Sequence, residues 1–337
     1  MSDALKLIES ILWFFAVVGA SYATKCLRRA SLLHNNLKMI LVNMSITIIV
    51  YGCCRLVMNA ASIAEYYGIG PRTVAYQICM LLVKIFSVIS LLIAVCCITL
   101  LTVERTVATL VPERYEQMKN RGRGVVFVAL VWTASVGVSI ALNLYWYLSN
   151  PLNDEGNSSF LQSVKTEFLL GIFGTGLVGH GANGLLLCFL YKHNRKQRSQ
   201  LDPSKLNVRY QYSENIATTR LLLAVTLTSF VATCIGALLL SVYYIAQRNE
   251  LISTMLCIEE SYHVLISIYA IFYNIIFLAM HRPNRDQLLR DVRRLACLKR
   301  QDTVDSLHSQ VKSVDGHCLS FKDEGNVYFN YLSQQWK

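Results

Sequence analysis

Seven stretches of this chain are too long and too apolar to sit comfortably in water: about 8–24, 39–63, 74–103, 125–148, 168–191, 221–246 and 255–280. Roughly 20 apolar residues cross a bilayer as a helix. Lipid offers the backbone no hydrogen-bond partner, so a spanning segment must be a helix or part of a closed barrel, and runs of this length exceed a barrel strand. Composition agrees. Hydrophobic residues make up 54% of the 337 and charged residues 16%, against about 25% charged in soluble domains. The five prolines, Pro71, Pro112, Pro151, Pro203 and Pro283, all fall in polar connections and mark boundaries. The expected fold is an all-α membrane protein, a seven-helix transmembrane bundle.

Charge orients it. With the amino terminus outside, the connections facing the cytoplasm and the tail hold 26 Lys and Arg, and the external side holds four: Lys6, Arg72, Lys165 and Arg248. That is the positive-inside pattern. Cleaving the first segment as a signal peptide would put the basic run that starts at Lys25 outside, against the rule, and Asp3, Lys6 and Glu9 lack a signal peptide's basic leader. The net charge of +11 therefore reads as topology and contact with anionic lipid, with no nucleic-acid partner expected. Asn157-Ser158-Ser159 is a glycosylation sequon on the expected outside; Asn43-Met44-Ser45 matches the pattern but lies within a span. Three parts are expected: a bundle over 1–280, an amphipathic juxtamembrane helix over 281–300, and a disordered cytoplasmic tail over 301–337.

At the foot of the third segment the apolar run meets Glu104-Arg105. Alone, such a pair is a helix reaching water. It has company in Tyr115-Glu116 and, before the sixth segment, in Tyr210-Gln211 and Glu214-Asn215. Taken together, ERTVATLVPERYE and RYQYSENIATTRLL are similar to segments of nematode serpentine chemoreceptors of the Sra superfamily, in particular the Srab and Sre groups. Glu104-Arg105-Thr106 also resembles the acidic-Arg-aromatic motif of rhodopsin-like receptors, as does Trp132 in the fourth span. The sixth and seventh segments lack those receptors' Trp, Pro and Asn-Pro-x-x-Tyr signatures, and no lysine in the seventh is placed for a retinal Schiff base.

The resemblance implies a chemosensory receptor in the plasma membrane of sensory neurons, in their cilia, with a small-molecule ligand, membrane lipid and a heterotrimeric G protein as partners. Glu104, Arg105, Tyr115, Glu116, Tyr210, Gln211, Glu214 and Asn215 would then form the coupling switch, with Arg105 pairing to Glu104 or Glu214 in one state. Without the resemblance, Ser213 reads as an N-cap and Glu214 as first-turn chemistry. Many such receptors bridge a cysteine near the outer end of the third helix to the second external loop. Here that loop has none, so Cys79 is matched with Cys257, the alternative being two free thiols.

Ionisable groups inside a membrane cost about 2.5–3.5 kcal/mol each on insertion scales, so each needs a partner or a purpose. Lys84, about 16 Å deep, or Arg55 is read as pairing with a seventh-helix acid such as Glu259, the alternative being that Lys84 anchors an anionic ligand. Gln77, His180, Tyr243, Tyr244 and His263 complete the candidate pocket, though packing and interfacial anchoring also explain them. Past Pro283, Leu288, Leu289, Val292 and Leu295 share a face opposite Arg285, Arg290, Arg293 and Arg294, the pattern of an interfacial helix. Cys297 at its end is a candidate for palmitoylation or an ordinary thiol. No phosphate loop, zinc spacing or nucleophile elbow occurs, so no enzyme, cofactor or metal is expected. The competing class is a transporter or ligand-gated channel, kept open by the glycine-rich GIFGTGLVGHGANG of the fifth segment.

Overall fold

The computed structural model describes residues 2–29, 34–68, 73–111, 121–149, 166–201 and 206–295. Seven long helices are present: α1 (Ser2–Arg29), α2 (Asn35–Tyr66), α3 (Val74–Leu110), α4 (Arg121–Ser149), α5 (Thr166–Gln200), α6 (Leu206–Arg248) and α7 (Ile252–Met280). Each carries a stretch long and apolar enough to cross a membrane. A short helix, α8 (Arg282–Leu295), follows the seventh. The protein is thus an all-helical, seven-span, multi-pass membrane protein. Its outer surface is that of a lipid-solvated molecule: Phe15, Leu185, Val178 and Leu238, on three different helices, are all at least 60% exposed, where a soluble protein would scatter single apolar side chains.

Local chemistry sets the helix ends. Thr73 caps α3, its hydroxyl accepting from the Tyr76 amide at 3.3 Å. His34 caps α2 through Nδ1, which accepts from the Asn36 amide at 3.4 Å. Beyond α2, Gly68 takes the left-handed conformation at φ 71°, a backbone shape only glycine adopts without strain. α6 begins at Leu206, well before the expected 221. Its 43 residues extend about 65 Å, roughly twice a hydrocarbon core. The helix therefore continues well beyond its apolar span, with Tyr212, Ser213, Asn215 and Ile216 of the polar extension buried, which apolarity alone could not detect. Ser213 consequently caps nothing; it lies inside α6 and donates to the Arg209 carbonyl at 2.9 Å.

The helices close into a ring. α1 packs on α2 and α7, α7 on α6, and α6 on α5, while α3 runs through the middle against α2, α4, α5 and α6. α4 sits outside, on α2 and α3. The chain divides after Gln287: the bundle is one compact unit, and Leu288 onward is a second. Side-chain amides tie the helices at several depths. Asn43 accepts from the Trp132 indole at 2.9 Å and donates to Cys97 Sγ at 3.3 Å, joining α4, α2 and α3. Asn274 on α7 donates to the Ala16 carbonyl at 3.0 Å.

The glycines of α5 neither break it nor act alike. The helix is continuous over Thr166–Gln200. A Cβ at Gly176, Gly181 or Gly184 would meet Thr233, Phe230 or Thr226 of α6 at ordinary distances, while Gly171, Gly174 and Gly179 face open space. The broken-helix signature of a transporter is missing from this helix.

Candidate functional site

Two places in the bundle bring chemistry together. The first is at the basic end, where α3 finishes and α6 starts. Arg105 is 1% exposed, although a guanidinium in such a place must have every donor matched. Its Nε and Nη2 donate to the two Glu104 carboxylate oxygens at 2.6 and 2.8 Å, a bidentate pair between sequence neighbours. Its Nη1 reaches across to α6, donating to Asn215 Oδ1 at 3.1 Å and Thr218 Oγ1 at 3.0 Å. Asn215 is itself oriented, its amide donating back to the Ala108 carbonyl of α3 at 3.1 Å. Thr218 donates to the Glu214 carbonyl at 2.8 Å. One arginine therefore clamps two helices. A further tie, from Asn194 of α5 to Thr109 Oγ1 at 3.0 Å, lies in the last turn of α3. His34 stands close enough to feel both charges of the pair. Burial pulls its pKa below the ordinary value, with Glu104 opposing and Arg105 adding to the shift.

The second place lies midway along α3 and α7, among α3, α5, α6 and α7. It is a cavity of about 220 Å³ whose wall is overwhelmingly apolar. α3 contributes Leu92, Val95 and Cys96, α5 Phe173 and His180, α6 Ser229 and Thr233, and α7 Tyr262, Ile266 and Tyr269. Towards the amino-terminal end it is roofed by Leu240, Tyr243, Ala246, Ile258 and Tyr262, with Phe173 and Leu170 packed against them.

Few residues of the expected pocket belong to this cavity. His180 is on its wall. Arg55 serves a different purpose, and its partner is not a seventh-helix acid. Its Nε and Nη2 donate to the two oxygens of Glu9 on α1 at 2.7 and 3.0 Å. Asn59 and Trp13 add donors to the same carboxylate at 2.9 and 3.2 Å. The choice failed because α7 offers two acids, and burial on α1 is invisible in a linear reading. Asn59, four residues after Arg55 on one helix face, was the available signal. His263 is buried beside that network, its Nδ1 at 3.5 Å from Tyr51 Oη. Glu259 is buried, and Lys84, half-buried, lies within its electrostatic reach. Tyr243 is in the apolar roof, Gln77 is exposed, and Tyr244 receives the Arg248 guanidinium at 2.6 Å. Cys79 and Cys257 are both free thiols, the first exposed on α3 and the second half-buried on α7, and the bridge is not formed.

At the basic end the structure brings together Glu104, Arg105 and Asn215, with Gln211 and Glu214 half-buried on the same stretch of α6. Thr218 was missed; its place three residues after Asn215 was the clue. Tyr115, Glu116, Asn157, Cys297 and the tail over 301–337 lie outside the described residues, as does the Tyr210 side chain.

Comparison with known proteins places the chain among related sequences. The sequence profile of the serpentine type 7TM GPCR receptor class ab chemoreceptors matches residues 1–312. Serpentine receptor class alpha/beta-14 of Caenorhabditis elegans is 22% identical, with 99% of this chain and 89% of that protein covered.

Proposed function

The chain belongs to the serpentine class ab family of seven-transmembrane G-protein-coupled chemoreceptors, a family of receptors and not enzymes, and from that premise we propose how it signals. A small environmental or pheromone-like ligand enters from the external side and occupies the cavity among α3, α5, α6 and α7. A heterotrimeric G protein engages the basic end, which faces the cytoplasm of a sensory neuron, at the plasma membrane of its cilia. The Lys and Arg asymmetry supports that orientation.

The observation that carries the reading is the Arg105 clamp. A ligand shifts a two-state bundle only by its differential affinity for the two packings. The clamp gives one packing a distinct energy, because all of its bonds to Asn215 and Thr218 cross from α3 to α6. The cavity is built from the same two helices, with α5 and α7. A ligand that spreads α6 from α3 at mid-depth therefore strains the clamp at the end. Once released, the planar guanidinium is free to donate to backbone carbonyls of an inserted G-protein helix. We assign Tyr115, Glu116, Tyr210, Gln211 and Glu214 to the rest of the contact surface. The test is G-protein activation in a heterologous cell over a panel of small odorants. Arg105→Ala is expected to abolish the response at unchanged surface expression; an unaltered response defeats the reading.

A further inference from the structure

The wall of the cavity carries no formally charged side chain, and that restricts what can bind there. Arg55 and Glu9 are committed to one another, and Lys84 and Glu259 are not among the lining residues. A carboxylate or ammonium group brought into this cavity would be stripped of water and left without a counter-charge. Three of the four hydroxyls on the wall are already occupied. Ser229 and Tyr269 bond to each other at 2.8 Å, Ser229 also donates to the Val225 carbonyl, and Thr233 donates to the Ser229 carbonyl.

His180 differs from these. It is 5% exposed and lines the cavity, and its imidazole makes no hydrogen bond to any described residue. A buried polar group left unpaired costs free energy. Water is a poor remedy, because it needs two to four polar neighbours in a cavity that is nearly all hydrocarbon.

We infer that the ligand is a neutral, largely hydrocarbon molecule of about nine non-hydrogen atoms, scaled from benzene in a cavity of about 150 Å³, whose single carbonyl or hydroxyl oxygen is held by the His180 imidazole. Tyr262, which also makes no hydrogen bond to a described residue, offers a second hydroxyl on the same wall. The inference rests on the reading that this cavity is the ligand site. It differs from the sequence expectation of an anionic ligand held by Lys84.

A size-matched series tests it on the full chain, purified into lipid nanodiscs: 2-octanone, 1-octanol, acetophenone, nonane, octylamine and octanoate. Two readouts need no G protein. One is the shift of the thermal unfolding midpoint. The other is protection of Cys96, a free thiol on the wall, from a small neutral thiol reagent, mapped by peptide mass. The three oxygen compounds are expected to stabilise the receptor and shield Cys96, nonane to bind three- to tenfold more weakly, and the two ions not to bind. His180→Phe keeps the volume and is expected to erase the preference for the oxygen compounds over nonane, with His180→Asn restoring part of it.

Octanoate or octylamine binding as well as 2-octanone would overturn the inference. So would intact discrimination in His180→Phe, binding that leaves Cys96 unprotected, or no binding by any neutral member. Binding with the expected discrimination but no G-protein response would uphold the ligand class and sink the coupling reading instead.

Discussion

Arg105 and Arg55 are both buried arginines, and each has a bidentate carboxylate, yet their partners give them opposite tasks. Arg55 donates to Glu9, and Asn59 and Trp13 donate to the same carboxylate, all from α1 and α2, so that pair fastens two neighbouring helices. Removing one partner of a buried pair strands the other charge, at a cost of about 3–5 kcal/mol. Glu9→Gln should therefore lower the unfolding midpoint of the purified receptor markedly, and the double change Glu9→Leu with Arg55→Leu should recover most of the loss. Equal stability in Glu9→Gln and wild type would show that the pair is not structural. Sequence reading placed Arg55 inside the membrane and required it to have an acid. It could not choose Glu9 over Glu259, because depth along a helix is legible and rotation about its axis is only weakly so.

At the scale of helices, one close approach is where α1 meets α2. A Cβ at Gly52 would lie 2.6 Å from Val17 and 2.7 Å from the Trp13 ring. Trp13 has little room to yield, being 1% exposed and held by its indole bond to Glu9. Gly52→Ala should cost about 1–3 kcal/mol through overpacking, whereas Gly174→Ala and Gly179→Ala, which meet open space, should be neutral or stabilise α5 by up to about 1 kcal/mol. Thermal unfolding of the three variants separates these outcomes, and equal effects would contradict the packing.

The start of α2 gives a pH dependence. His34 has its pKa lowered from 6.5, by burial first, so the folded state prefers the neutral imidazole that accepts from the Asn36 amide. Its contribution is complete above about pH 6.5 and is lost as the pH falls below that towards the lowered folded value. Unfolding midpoints measured from pH 7.5 down to 5.5 should decline, and His34→Asn, a cap that does not titrate, should flatten this part of the decline. An undiminished slope in His34→Asn would assign the effect elsewhere.

For the molecule as a whole, the clamp predicts the sign of basal activity. Asn215→Ala and Thr218→Val each delete a hydrogen bond to a charged group, about 1.5–3 kcal/mol, from the packing in which α3 and α6 are joined. Both should raise ligand-independent G-protein activation, the opposite of Arg105→Ala, which removes the group that meets the G protein. A fall in basal activity in both would mean that the clamp belongs to the active packing.

The sequence by itself determined the seven helices, because lipid allows one backbone solution and hydropathy records it directly, and it carried the family resemblance. It also marked Glu104-Arg105 and Asn215, which motif spacing preserves. Only the tertiary structure decided that Arg55 belongs to Glu9, that α6 extends far beyond its apolar part, and that the cavity is uncharged with His180 on its wall. Those facts depend on how each helix is turned towards its neighbours. In a chain that is apolar nearly all round, the hydrophobic pattern that would announce the inward face is erased by lipid on the outside.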